Sequence, residues 1–416
     1  MRIAFYAPLK APDHPVPSGD RLMARLLMAA LRMAGHRVEI ASTLRAHLGD
    51  PEDRAGLAAL EAAARGEGLR LAADWRQAGA PDLWLCYHPY YKSPDLIGPA
   101  LGAGFGVPYV TVESSYSERR NLGIWAGMQA AALAGARGAA LNICLTARDE
   151  RGLRAADAGL RLARLAPFID PAPADPRPRP MHLVTVAMMR PGDKLDSYRA
   201  LAAALAEVAD LPWRLSVAGD GAARAEVEAL FRGLPGRVDW CGRLDPPAVQ
   251  ALLSAGAVYV WPGCGEAYGL AYLEAQAAGL PVVAFATAGV PEVVEDGVTG
   301  LLVADGDTRA LAGAVRRLLT DDALRGRMAQ AARARVRERH SLAAASARPR
   351  VKRPRSSRSA PEIRPPRPAE RMAIGPVTVA ARSSRSSSRA CSTLNLTSKA
   401  GLPPEKSTDP VPATVP

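Results

Sequence analysis

Two glutamates, Glu266 and Glu274, are separated by seven residues that include Tyr268-Gly269-Leu270. The segment falls where a loop should enter a helix. Gly269 permits close backbone approach, and the helix that follows offers unpaired N–H groups to a diphosphate. A carboxylate on either side can accept hydrogen bonds from sugar and ribose hydroxyls. The pattern therefore describes a clamp for a nucleotide-linked sugar, against the plainer reading of a helix that happens to begin with Glu. A second pair, Arg190 and Lys194, sits in Met188-Met189-Arg190-Pro191-Gly192-Asp193-Lys194. Two cations on a turn after a parallel strand can neutralise a diphosphate leaving group, the main electrostatic task in breaking a nucleotide–sugar bond. Ordinary surface charge is the competing account.

Other motifs are excluded. The loop Pro17-Ser18-Gly19-Asp20-Arg21 has one glycine and no G-x-G-x-x-G, which argues against a nicotinamide-dependent dehydrogenase. Asp305-Gly306-Asp307 resembles a metal-binding Asp-x-Asp but reads better as a turn and helix N-cap before Leu311. No metal site is expected. Five widely spaced cysteines, without C-x-x-C, support neither a disulfide framework nor structural zinc.

These groups need a scaffold of alternating strands and helices. The start reads as a βαβ unit: Ile3 to Ala7, a Pro/Gly-rich loop to Asp20, an apolar-periodic run from Leu22 to Ala34, then Val38 to Ala41. Short apolar runs at 82–86, 109–112 and 141–145 continue a parallel sheet covered by helices. A proline-rich stretch, residues 166–180, breaks the pattern and reads as a linker. Strands are then expected at 182–187, 214–218, 238–241, 258–261, 281–285 and 300–303, with a helix after Asp307 and another from Asp322 to about His340. The fold class is α/β, with two Rossmann-like domains (1–165 and 181–345) facing across a cleft.

The chain has 416 residues, 48% of them apolar, enough for two cores. Its net charge of +12 invites a nucleic-acid reading, but residues 346–416 hold 14 Lys/Arg against 4 Asp/Glu, leaving the rest nearly neutral. A nucleic-acid partner is therefore not expected for the folded part. The Pro/Arg/Ser-rich tail, 346–416, is expected to be disordered, and three readings stay open: a solvated extension, an arm for nucleic acid or anionic lipid, or a frame-shifted end. The N-terminus shows no signal-peptide pattern, and no run is long enough to span a bilayer. A cytoplasmic protein is expected, with peripheral membrane contact through Arg119, Arg120 and Trp125 weighed against an ordinary helix end.

The run from Trp261 to Ala284, followed by Ala288-Gly-Val-Pro-Glu-Val-Val-Glu-Asp-Gly-Val-Thr-Gly-Leu-Leu-Val, closely resembles the retaining family 4 glycosyltransferases of GT-B fold. The resemblance is nearly continuous from about Leu183 to His340 and weaker but collinear from Arg2 to Asp157. It implies that Glu266 contacts the donor sugar, that Glu274 holds the ribose, and that Arg190 and Lys194 face the diphosphate. It places Gly19 in a turn touching the donor phosphates. The family usually has Gly where Ala267 stands, and commonly a histidine where this chain has Glu113. A carboxylate there can stabilise positive charge on the sugar, and His88 is the other candidate for the acceptor side. Implied partners are a nucleotide-sugar donor, which is a substrate and not a cofactor, and a carbohydrate or glycolipid acceptor of envelope synthesis. A GT-B-like epimerase and a degenerate, non-catalytic nucleotide-sugar-binding protein remain as alternatives.

Overall fold

The computed structural model describes residues 1–16, 18–173 and 175–347; the expected disordered tail therefore lies almost wholly outside the described residues. The first half alternates β1 (Arg2–Tyr6), α1 (Gly19–Met33), β2 (Arg37–Ser42), α2 (Arg54–Ala78), β3 (Leu83–Tyr87), α3 (Gly98–Phe105), β4 (Tyr109–Val112), α4 (Gly123–Gly138), β5 (Leu141–Cys144), α5 (Ala147–Ala156) and β6 (Leu162–Arg164). The second half follows with β7 (His182–Val186), α6 (Asp193–Ala206), β8 (Arg214–Ala218), α7 (Arg224–Leu230), β9 (Arg237–Gly242), α8 (Pro246–Ala255), β10 (Val258–Val260), α9 (Leu270–Ala277), β11 (Val282–Phe285) and β12 (Gly300–Val303). Three helices close the described chain: α10 (Thr308–Thr320), α11 (Asp322–Arg339) and α12 (Leu342–Ala347). None of the described helices is long and apolar enough to cross a membrane.

Each half is a six-stranded, all-parallel sheet, in the order β2-β1-β3-β4-β5-β6 and β12-β11-β10-β7-β8-β9. Strand order reverses beside β1 in the first sheet and beside β7 in the second. Loops leaving the C-terminal ends of neighbouring strands diverge at such a reversal, which opens a crevice for ligands. Both halves are thus Rossmann-like, as expected from the sequence. Strand β6 is an addition, too short at three residues to carry a periodic signal.

Local chemistry explains the elements around the crevices. Ser18 caps α1, its hydroxyl accepting from Arg21 N at 3.2 Å. Met23, Leu27 and Ala30 then recur at helical spacing on the buried face. Asp307 caps α10 by accepting from Ala310 N, which accounts for the Asp-x-Asp motif as a turn and cap. Cys86 and Cys144 are buried free thiols.

Among its described residues the proline-rich stretch carries no helix or sheet strand, but it is pinned. Ile169 N donates to His340 O (2.8 Å), and Leu342 N donates to Ile169 O (2.7 Å). This pairing turns the chain after α11 so that α12 packs against α1 of the first half. Leu342, buried in the same cluster as Met23 and Leu27, returns the chain to the first half. Trp125, considered for membrane contact, is buried. Its indole N–H donates to Leu48 O (3.1 Å) and Lys92 lies over its ring, while Arg119 and Arg120 are exposed.

Candidate functional site

A cleft of about 660 Å³ opens at the C-terminal ends of β7, β8 and β10, the reversal point of the second sheet. Its walls include Val186–Met188, Arg190 and Lys194 after β7, Gly219–Gly221 after β8, Arg243 after β9, and Trp261 and Glu266 after β10. Gly19 of α1 and Val16 line it from the first half.

The two cations occupy different elements. Arg190 is on the loop after β7, whereas Lys194 is the second residue of α6, not part of the turn that the sequence suggested. Lys194 Nζ forms an ion pair with Glu266 Oε2 and lies 5.5 Å from the Trp261 ring centre. The two side chains are 27% and 20% exposed, so this pair is shielded yet reachable from the cleft. Arg243, a third cation on the wall, escaped the sequence reading. The signal was its place on the loop that leaves a strand end, as for Arg190.

The loop carrying Glu266 is fixed by backbone constraints. Cys264 N donates to Ser197 Oγ (2.9 Å), and Ser197 Oγ donates to Asp193 O (2.8 Å), tying the loop to α6. Gly269 has φ +73°, and a Cβ there would lie 2.5 Å from the Tyr272 ring. Only glycine fits, and it starts α9 with no side-chain cap. Leu270 and Ala271 line the cleft at the start of α9, where the first N–H groups of a helix have no partner within it. Gly219 is required by close packing, since a Cβ would sit 1.8 Å from Ala187 O. At Gly19 a Cβ would meet nothing within 4 Å, so this position leaves open space on the cleft.

Glu274 lies one turn beyond Leu270 on α9 and is not among the residues lining the cleft. Burial raises its carboxyl to about 7. Glu113 and His88 also stand off the cleft wall but form a cluster joined to it. Both adopt left-handed backbone conformations, φ +60° and +58°, at the ends of β4 and β3, an uncommon state for non-glycine residues that is associated with functional sites. His88 Nδ1 is 3.2 Å from Asp20 Oδ1, and the His88 ring stacks on Tyr90. Tyr268, from the second half, donates its hydroxyl to Glu113 Oε2 at 3.1 Å.

The cluster's electrostatics follow from this packing. Burial pushes the Glu113 carboxyl up, His88 pulls it back, and Asp149 and Asp20 add to the rise, leaving it at about 7. Burial opposes charge on His88, but Glu113, Asp20 and Asp149 outweigh it and raise the imidazole to about 9. A protonated imidazole beside a carboxyl that titrates near neutrality can hold or move a proton at this spot. Asp20 and Asp149 were missed as members because nothing local marks them.

A second bridge joins the halves. Glu292, in the 3₁₀ turn Val290–Glu292, accepts from Ala147 N (2.6 Å) and from Arg164 Nη2 (2.6 Å). Among the described residues there is no group of three or more His, Cys, Asp or Glu side chains that could hold a metal ion.

Residues 180–321 match the family model described as glycosyl transferases group 1. An alpha-D-kanosaminyltransferase of Streptomyces kanamyceticus is 39% identical over 131 residues, 31% of this chain and 34% of that protein. A D-inositol 3-phosphate glycosyltransferase of a Nocardioides species is 38% identical over 150 residues, 32% of each. This chain spans no more than about a third of the length of the curated relatives it matches. Among solved structures, sucrose-phosphate synthase from Thermosynechococcus elongatus is similar with a TM-score of 0.63 at 22% identity, covering 83% of this chain and 96% of that one. The fold is therefore GT-B, and the likeness to group 1 glycosyl transferases lies in residues 180–321.

Proposed function

We propose that the protein is a retaining glycosyltransferase of family 4 that moves a hexosyl group from a nucleotide-diphosphate sugar to an acceptor hydroxyl, without a metal ion or other cofactor. The observation that carries this reading is the Lys194–Glu266 ion pair, set beside Arg190 and the uncapped start of α9 in one cleft. Cations and oriented N–H groups stabilise a departing diphosphate, and Glu266 is available to the sugar hydroxyls. Glu274, further along α9, would take the ribose. Glu113 and His88 would face the acceptor side, where a carboxylate stabilises charge developing on the sugar. Attack would come from the face that the leaving group vacates, with retention of configuration.

The domain limits 1–165 and 181–345, joined by 166–180, belong to this proposal, as does a role in envelope polysaccharide or glycolipid synthesis. The test is release of nucleoside diphosphate from a panel of donors, with Glu266→Ala as control and EDTA in a parallel series. Turnover that EDTA leaves intact and Glu266→Ala lowers by about 100-fold is the expected result. Donor binding without turnover by the wild-type chain would instead mark a non-catalytic binding protein, and abolition by EDTA would overturn the metal-free mechanism.

A further inference from the structure

Order reverses in the first sheet beside β1, and the loops there carry a group of cations that the proposed donor chemistry does not use. Lys10 lies after β1, Arg21 in the first turn of α1, Arg45 and His47 after β2, and Lys92 after β3. Arg45 Nε reaches Leu9 O and Arg21 Nε reaches Pro12 O, on either side of Lys10 in the loop after β1. Burial depresses ionisation of the Lys10 ammonium, Asp20 opposes this, and Arg190, Arg45 and Arg21 add to the depression; burial, then Arg45 and Lys92, do the same to His47. Arg45 also acts on the Tyr90 hydroxyl, and Tyr90 stacks on His88 at 4.8 Å between ring centres. The group thus runs from the His88 cluster to Arg190 on the rim of the donor cleft.

Among the described residues, Lys10, Arg21, Arg45, Lys92 and Arg190 form no ion pair with a carboxylate, although most arginines that do pair in this protein sit on open surface. The carboxylate that acts on Lys10 is that of Asp20, and His88 Nδ1 lies 3.2 Å from it. The guanidinium of Arg45 is oriented through Nε, which donates to Leu9 O (3.3 Å). Arg21 is held in the same way, its Nε donating to Pro12 O (3.4 Å). In each case no described group accepts from the terminal Nη atoms, so both forks are aimed by the backbone with their outer donors unused. Like charges gathered at a crevice raise one another's energy, and an anion relieves that cost. Arginine forks match phosphate and carboxylate geometry.

From this geometry we infer that the acceptor carries an anionic group, a phosphate or a carboxylate, seated on Lys10, Arg21 and Arg45 beside His88. The inference rests on the glycosyl-transfer reading for the identity of the bound molecule as acceptor. The donor's diphosphate is a poor candidate for this seat. Lys10, Arg21 and Arg45 do not line the donor cleft, which already holds Arg190, Lys194 and Arg243.

The test uses calorimetric titration of the full chain, first with UDP and GDP and then with glucose 6-phosphate against glucose, in the wild type and in Arg45→Ala, Lys10→Ala and Arg45→Lys. A parallel arm sediments the protein with vesicles of phosphatidylcholine with or without phosphatidylglycerol, which separates a lipid-borne anion from a soluble one. The expected result is Arg45-dependent binding of glucose 6-phosphate or of the phosphatidylglycerol vesicles, at least about tenfold weaker in Arg45→Ala and partly restored in Arg45→Lys. Nucleoside diphosphate affinity should stay within about twofold in all three variants. Equal binding of glucose and glucose 6-phosphate with no vesicle preference, no Arg45-dependent binding in either arm, or a parallel loss of nucleotide affinity would overturn the inference. Failure of both nucleotides to bind the wild type would count against the glycosyl-transfer reading and leave the anion result to be judged by itself.

Discussion

The Tyr268 hydroxyl donates to Glu113 Oε2 at 3.1 Å, joining the loop that opens α9 to the end of β4 across 155 residues of sequence. Both side chains are buried, so the bond has few competitors from water. Tyr268 is two residues from Glu266, and Glu113 belongs to the His88 cluster. The bond therefore couples the position of the proposed donor clamp to the opposing half.

Replacing Tyr268 by Phe should keep the ring packing and leave Glu113 one donor short. The expected cost is about 1–2 kcal/mol in urea denaturation. If activity depends on the two halves being held in register, kcat should fall while the nucleoside diphosphate Kd stays unchanged. Unaltered stability and kcat would show the bond to be incidental.

The pH dependence has a defined sign. Glu113 rises from an ordinary 4.5 to about 7 on folding, and His88 from 6.5 to about 9. Both groups bind protons more tightly in the folded state, so each stabilises the fold below its ordinary value and loses that contribution as pH rises through the folded one. Stability should decline from about pH 4.5 to 7 on account of Glu113 and from about 6.5 to 9 on account of His88. In Glu113→Gln the first decline should vanish, and so should any rise of kcat/KM through neutral pH as the carboxylate forms. Melting curves and rate profiles at constant ionic strength decide both points.

Lys194→Ala and Glu266→Ala should each lower kcat by about 100-fold, the scale for losing one charged group that stabilises a transition state. Because the two side chains are paired, the double variant should lose much less than the product of the single effects. Multiplicative losses would mean that the ion pair does not act as a unit.

Glu292→Ala removes the acceptor of two hydrogen bonds, from Ala147 N and Arg164, that join the second half to the first. The expected loss is about 2 kcal/mol, given that the bonds involve a charged acceptor and half-buried partners. Nucleotide affinity should change little. A variant as stable as the wild type would place the connection between the halves in α12 and the 168–169 segment instead.

What the sequence determined by itself was whatever chemistry is local. The spacing of Glu266 and Glu274, the glycine that starts α9, the cap at Asp307 and the prolines between the halves each act within a few residues. Alternating apolar runs defined two parallel sheets for the same reason, because strand and helix periods are local. Arg243 and β6 escaped, the one lacking a motif and the other too short for a period. Only the tertiary structure decided which loops meet. Asp20, His88, Glu113 and Tyr268 come from four separate elements, and Lys10, Arg21 and Arg45 from three. Their contacts depend on strand order and on how the two sheets face each other, and Glu113's shifted carboxyl comes from burial that no run of neighbours encodes.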